Sequence, residues 1–474
     1  MSEKNEDFRN NLATADKDGK RIFVYPRKPK GKLTNWRNRL SYLQLLFLFA
    51  APFISFQGKP LILLNIFERK FIIFGLTFWP QDFIIFALAM LASFVAIALF
   101  TAVYGRVFCG WMCPQTIFLE MLYRKIEYFI DGDYRAQKKL VAMDWNAEKI
   151  RKRFIKHSLF ILISFFIANV FLAYLVGKEE LFKLVTNSPA ESPKLFVAVI
   201  FCTVAFYWLY SYFREQFCTF LCPYARLQSV LLDNNSIVVA YDEARGEPRG
   251  RNKKSKKTKL TAEALLKNGE EALEKEGDCV DCNICVQVCP TGIDIRNGFP
   301  QLECINCSAC IDACNDVMQK TKREPNLISY TSENKLHGKK FKLTSRIVSY
   351  SAILAVFTSA IVYMLVTRSD IDLVLLRARG SLAVKEFPFY KNLYTTTLIN
   401  KTLKDRRVRL KLSSHEGIIE PDQEIFIKAD SSQNFNFWVK LPQGVLSEHK
   451  NNIEIQIIED GKILISKEAS FITP

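Results

Sequence analysis

Twelve of the 13 cysteines in this 474-residue chain fall into four regular groups, and regular spacing of thiols points to metal ligation. Cys279, Cys282, Cys285 and Cys289 form C-x-x-C-x-x-C-x-x-x-C, with Pro290 after the fourth. Cys304, Cys307, Cys310 and Cys314 repeat the spacing. In such runs the first three cysteines wrap one 4Fe-4S cubane, because a tight turn presents each thiolate to a different iron. The fourth reaches the other cluster. This predicts two clusters, one held by Cys279, Cys282, Cys285 and Cys314, the other by Cys304, Cys307, Cys310 and Cys289. A pair of zinc knuckles is the competing account, but a tetrahedral zinc has no use for an eight-cysteine repeat with its proline. Asn315, not proline, follows Cys314; the departure removes no ligand.

The other two groups share the form C-x-x-x-C-P: Phe108-Cys109-Gly110-Trp111-Met112-Cys113-Pro114 and Phe217-Cys218-Thr219-Phe220-Leu221-Cys222-Pro223. If helix runs through each motif, its two thiols lie on one face, with Cβ atoms about 5–6 Å apart. Such a pair can share a soft ion such as Cu(I). Two pairs from neighbouring helices can instead hold a further cluster, and buried cysteines can also be mere small hydrophobes. Repetition of the motif, each time with proline and at the same depth, favours a metal or redox role. Cys202 stands alone and is read as packing.

Something must position these sulfurs, and the composition says what. The chain is 49% hydrophobic and 24% charged, which fits apolar spans joined by very polar loops. Five stretches approach the roughly 20 apolar residues a bilayer requires: Ser41–Gln57, Phe83–Tyr104, His157–Val176, Lys194–Phe213 and Ser345–Thr367. Leu61–Phe67 and Phe71–Phe78 are too short to span and read as interfacial or re-entrant. Residues 1–39 and 105–156 each carry eleven Lys and Arg, whereas the alternate loops carry few. Basic loops stay on the cytoplasmic side. The expected order is therefore a basic cytoplasmic segment 1–40, spans within 41–213 around a cytoplasmic loop 105–156, a cytoplasmic segment 214–344, a last span 345–367 and an outer segment 368–474. All twelve grouped cysteines then lie on the reducing side.

Within the inner segment, Arg245–Lys259 reads as a mobile basic linker and Thr261–Glu276 as an amphipathic helix leading into a ferredoxin module at about 260–325. In the outer segment Val408–Leu412, Glu424–Ala429, Phe435–Leu441, Ile453–Ile458 and Lys462–Ser466 alternate or are β-rich, which suits a small immunoglobulin-type sandwich. The expected fold is a five-helix transmembrane bundle with a cytoplasmic bacterial-type module for two 4Fe-4S clusters and a C-terminal immunoglobulin-like β-sandwich.

Absences narrow the chemistry. The net charge of +17 sits in loops beside apolar stretches, which fits a membrane face and not a nucleic-acid partner. Of four histidines only His157 borders a span, so an intramembrane bis-histidine haem is excluded. No acidic residue lies well inside a span, which argues against a proton pump. The residues at the start of the chain show no signal-peptide core. No dinucleotide or P-loop fingerprint is present, so electrons come from a partner protein or a membrane carrier.

At these motifs the chain resembles the cytochrome c oxidase accessory proteins of the FixG, RdxA and CcoG type. The likeness covers nearly the whole chain, through Val24-Tyr25-Pro26, Arg106–Trp111, Gln216–Cys218, Cys222–Arg226, Arg245–Gly250, the cluster stretch and the β-rich tail. The stretch around Cys109 is also similar to membrane polyferredoxins of nitrate and nitrous-oxide respiration. The resemblance implies a bacterial inner-membrane protein that assembles the cbb(3)-type oxidase as a cupric reductase, in contact with oxidase subunits or copper chaperones. The eight ferredoxin-like cysteines would be the relay, and Cys109, Cys113, Cys218 and Cys222 the copper-proximal, catalytic site. A quinol-oxidising polyferredoxin subunit and a non-enzymatic assembly scaffold are the alternatives.

Overall fold

In lipid a chain satisfies its backbone amides as helix or as closed barrel, and the apolar runs here are helical. The computed structural model describes residues 13–473 apart from 17, 19, 57, 67–69, 187–189, 191, 251–276, 300, 302, 341, 379–382, 403, 414–416 and 446–448. Among these residues four helices are long and apolar enough to cross a bilayer: Phe83–Tyr104, Ala147–Val176, Pro193–Phe213 and Ser345–Val366. The chain divides into two compact units, Met1–Thr358 and Ser359–Pro474.

The expected first span takes a different form. Helix Lys32–Ala50 begins well upstream of Ser41, in polar sequence, and Pro52, with no amide to donate, closes it. Strands Ser55–Phe56 and Lys59–Pro60 then pair as a short hairpin. Only the second half of the helix is apolar, so it does not join the four.

The short apolar stretches after it are strands, not re-entrant helix. Ile62–Asn65, Lys70–Ile73 and Leu76–Phe78 form a three-stranded antiparallel meander. Phe74 and Gly75, both at positive φ, supply its tight second turn.

The cysteine module sits between two strands that close on each other. Val238–Tyr241 pairs antiparallel with Ile328–Thr331, and helices Ile284–Gln287 and Ala309–Lys320 follow the two cysteine turns. The turns have one backbone course. Asp281 and Asn283 in the first, and Asn306 and Ser308 in the second, take positive φ at equivalent offsets. Asn and Asp tolerate this conformation best after glycine.

The basic linker is not mobile at its start. Arg245 Nε donates to Asp278 at 2.6 Å, and the Gly250 amide donates to the Cys279 carbonyl at 3.1 Å. Arg245–Gly250 is thus packed on the cysteine module. The helix expected over Thr261–Glu276 lies outside the described residues.

The second unit is a two-sheet sandwich. One sheet runs Ile418–Glu420, Ser431–Pro442, Phe389–Asn400, Ile371–Arg377, with Val384–Glu386 also on Phe389–Asn400; the other runs Ile425–Ile427, Arg406–Leu412, Lys450–Glu459, Lys462–Ile472. Alternate residues Ile453, Ile455 and Ile457 meet Leu398, Phe437, Val439 and Leu441 in its core. Strand Phe389–Asn400 escapes a hydrophobic pattern because buried Asn392 and Asn400 use their amides on the Ile472 and Lys404 carbonyls.

Candidate iron-sulfur electron-transfer site

Two small cavities of equal size, about 20 Å³ each, open inside the cysteine module. The first is lined by Cys289, Cys304, Cys307 and Cys310, the second by Cys279, Cys282 and Cys314; Cys285 reaches both. Each fourth cysteine therefore faces the cavity of the opposite run. The remaining lining is mostly apolar, including Ile293, Ile295 and Val239 around the first and Met318 and Leu327 around the second. Amides turn toward the sulfurs: the Asn306 N–H donates to Cys304 Sγ at 3.4 Å. Burial first, with the neighbouring thiols adding to it, pushes Cys285, Cys304 and Cys314 up to about 12 and Cys307 to about 11. Thiols that hold their protons so firmly in apolar walls lose them to a metal, not to water. A thiolate-lined, amide-rimmed and dry cradle is what a cubane fits.

The two C-x-x-x-C-P motifs follow one backbone path twice. Helix Phe83–Tyr104 breaks at Gly105 (φ 56°), and the span ending at Phe213 breaks at Arg214 (φ 51°). Four residues beyond each break stand Cys109 and Cys218. Helix does not run through the motifs. Cys113 and Cys222 are extended, with ψ of 123° and 110°, because Pro114 and Pro223 begin new helices and disfavour helix in the residue before them. The two thiols of a pair thus do not share a helix face.

The pairs nevertheless come together. Gln228, on the helix after the second motif, accepts from Arg106 Nε at 3.0 Å and from the Cys109 thiol at 3.3 Å. Tyr224 bonds the Thr101 hydroxyl at 3.2 Å and packs edge-on to Phe108. Burial and then Cys113, Cys109 and Cys222 push the Cys218 thiol up to about 12, so all four sulfurs sense one another. Among the described residues, no three His, Cys, Asp or Glu side chains are close enough to hold a single metal ion.

The membrane-face motifs also touch the cysteine module. Cys109 shares a buried apolar cluster with Ile305, Cys307 and Ala309, and Cys310 packs against it. Trp111 Nε1 donates to the Asn306 carbonyl at 3.2 Å. Arg37 Nε donates to the Gly110 carbonyl at 2.8 Å. Arg124, 1% exposed, binds Glu120 at 2.8 Å, Glu215 at 3.2 Å and the Pro290 carbonyl at 2.9 Å. It thereby ties the approach to Cys218 to the residue beside Cys289. Asp312, on the helix between Cys310 and Cys314, accepts from the Thr34 amide at 2.6 Å and caps helix Lys32–Ala50.

Three family models match the chain. One described as "4Fe-4S dicluster domain" covers residues 213–333, one described as "4Fe-4S binding domain" covers 86–131, and an "IG-like fold at C-terminal of FixG" covers 361–474. Protein RdxB of Cereibacter sphaeroides is 31% identical over 84% of this chain and 83% of its own. The chain belongs to the FixG family. RdxA of the same organism is 29% identical over 89% of this chain and 90% of its own. The nitrogen fixation protein FixG of Rhizobium meliloti is 33% identical over 66% of this chain; the match spans 58% of that relative's length. As a FixG-family member the chain is an iron–sulfur electron-transfer protein, and its four apolar helices mark a membrane protein.

Gln228, Gly110, Arg37 and Arg124 contact the cysteine motifs or the residues beside them, and the spacing of the cysteines does not single them out. Nothing in a basic loop separates a buried arginine from its solvated neighbours. Gly110, between the two cysteines of its motif, offered the one usable signal. His157 bonds the Tyr207 hydroxyl at 2.9 Å, and Cys202 is half-buried on helix Pro193–Trp208.

Proposed function

We propose that this chain carries electrons through two cubanes to the four membrane-face cysteines and on to Cu(II), which leaves as Cu(I) for a cbb(3)-type oxidase. Cys279, Cys282, Cys285 and Cys314 are the ligands of one cubane, and Cys289, Cys304, Cys307 and Cys310 of the other. Bound cubanes supply storage for one electron each. The observation that carries the reading is that Cys109 belongs to one buried apolar cluster with Ile305 and Cys307, against which Cys310 packs. It gives electrons a through-protein exit from the module to the membrane-face site. Copper is substrate: Cu(II) gains one electron as one reduced cubane returns to its oxidised state.

The basic loops support a cytoplasmic amino terminus and cluster module, and a periplasmic tail, in a bacterial inner membrane. That placement needs helix Lys32–Ala50 to cross as a fifth span; it exposes Leu43, Leu46 and Phe47. Thiol-reactive labelling of cysteines introduced at the exposed positions Asp18 and Ser432 in sealed vesicles tests it. Opposite sidedness is expected, and equal sidedness sinks the five-span order.

The activity is tested with dithionite-reduced protein, freed of excess reductant, given Cu(II) and a Cu(I)-specific chelator under anaerobic conditions. Cu(I) should form in proportion to protein. Formation no faster than in buffer refutes the reading, and cluster reduction by quinols in its place points to a quinol oxidase.

A further inference from the structure

Four features of the membrane-face cysteines remain unexplained by two ferredoxin cubanes. Both pairs lie on one repeated path, positive-φ break, single turn, cysteine, extended cysteine, proline, so that each repeat delivers two thiols to the same place. Gln228 of one repeat reaches Cys109 of the other. The Gln115 and Thr116 backbone amides lie at the Cys113 sulfur, just as the Thr291, Gly292 and Ile293 amides lie at Cys289 in the cysteine module. Finally, a cysteine followed by proline occurs at Cys113, Cys222 and Cys289 alike.

We propose that Cys109, Cys113, Cys218 and Cys222 together hold a third iron–sulfur cluster, of the 4Fe-4S class, at the membrane face. A cluster and a single ion ask for different spacings of the sulfurs. Four thiolates around a single tetrahedral ion at about 2.3 Å stand only about 3.8 Å apart. In a cubane each thiolate binds its own iron, so the sulfurs spread wider. The four membrane-face thiols sense one another, yet among the described residues no three of them form a single-ion group. Amide donors to the sulfurs are the usual device for tuning such clusters. The site lies against the Ile305–Cys307 backbone, so one electron leaving the cubane at Cys289, Cys304, Cys307 and Cys310 oxidises that cluster as it reduces this one. Copper or a membrane quinone is then its acceptor. This inference stands whether or not copper proves to be the substrate.

The test is iron and acid-labile sulfide per chain in anaerobically purified full-length protein, with Mössbauer spectroscopy, beside the Cys109→Ser/Cys222→Ser variant. About twelve iron and twelve sulfide are expected in the parent protein, since eight cysteines hold only two cubanes. The variant should fall to about eight of each and keep the EPR signals of the two module clusters. Should the variant lose all iron through misfolding, the parent count still decides, because Cys202 alone cannot ligate a cluster. A parent count of about eight, or iron unchanged by the double substitution, overturns the proposal. So does bound copper that disappears with these cysteines.

Discussion

Gly110 and Ile305 meet backbone to backbone: a methyl group on the Gly110 α-carbon would collide with the Ile305 carbonyl oxygen and stand 3.0 Å from the Cys307 amide nitrogen. Glycine is the residue that lets the Cys109 motif sit directly on the turn carrying Cys304 and Cys307. The proposed electron exit passes through this contact.

Gly110→Leu should force the two backbones apart. Overpacking of this kind costs about 1–3 kcal/mol. EPR should show both module clusters present, while their anaerobic reoxidation by Cu(II) slows severalfold. Reoxidation at the parent rate would mean that electrons leave elsewhere.

Arg124→Ala removes the shortest ion pair of Glu120 and of Glu215, leaving them the longer contacts with Arg37, Arg21 and Arg214, and frees the Pro290 carbonyl. Breaking a buried pair on one side costs about 3–5 kcal/mol. Thermal unfolding should fall accordingly, with earlier loss of iron on heating. Arg124→Lys should recover little, because one ammonium cannot serve three acceptors at Arg124's geometry.

Asp312→Ala removes the acceptor for the Leu33 and Thr34 amides and the Thr34 hydroxyl. Loss of a cap costs about 0.5–2 kcal/mol. Protease should cut the Lys32–Ala50 region faster, with cluster content unchanged.

Cluster loading should depend on pH. Burial first, and then neighbouring groups, holds Cys285, Cys304 and Cys314 near about 12 and Cys307 near about 11. Each pKa lies above the ordinary thiol value, so in the metal-free protein these thiols are protonated at neutral pH. Ligation expels those protons, so affinity rises with pH throughout the range below about 11. Titration of metal-free protein with Co(II), followed by its thiolate charge-transfer band, should tighten from about pH 6.5 to pH 8.5. A flat response contradicts the raised pKa values.

What the sequence made legible is what depends on spacing alone. Eight cysteines in a repeated run predict a crossed arrangement around two centres, and Cys289 and Cys314 do face the opposite cavities. Long apolar runs announce helices, and alternation in Ile453–Ile458 announces a sandwich strand. What it hid depends on context. The Phe389–Asn400 strand buries Asn392, satisfied by the Ile472 carbonyl of the other sheet, and Asn400, satisfied by the Lys404 and Lys428 carbonyls. Ser41–Gln57 reads as one apolar run, whereas its helix starts upstream in polar sequence at Lys32 and ends at Ala50, before Pro52 and a short hairpin. Cys109 and Cys113 look like one helix face until Pro114 turns Cys113 extended. The meeting of the two pairs rests on Gln228, a residue that carries no motif.

The most direct measurement is a single-turnover experiment. Protein is reduced to its clusters and no further, mixed anaerobically with Cu(II), and followed at once by iron–sulfur absorbance and by a Cu(I) chelator. The account predicts that clusters reoxidise in step with Cu(I) formation, one electron to one copper, and that Cys109→Ser/Cys218→Ser slows both together. Clusters that stay reduced in the presence of Cu(II), or Cu(I) that forms equally fast in the variant, would contradict it.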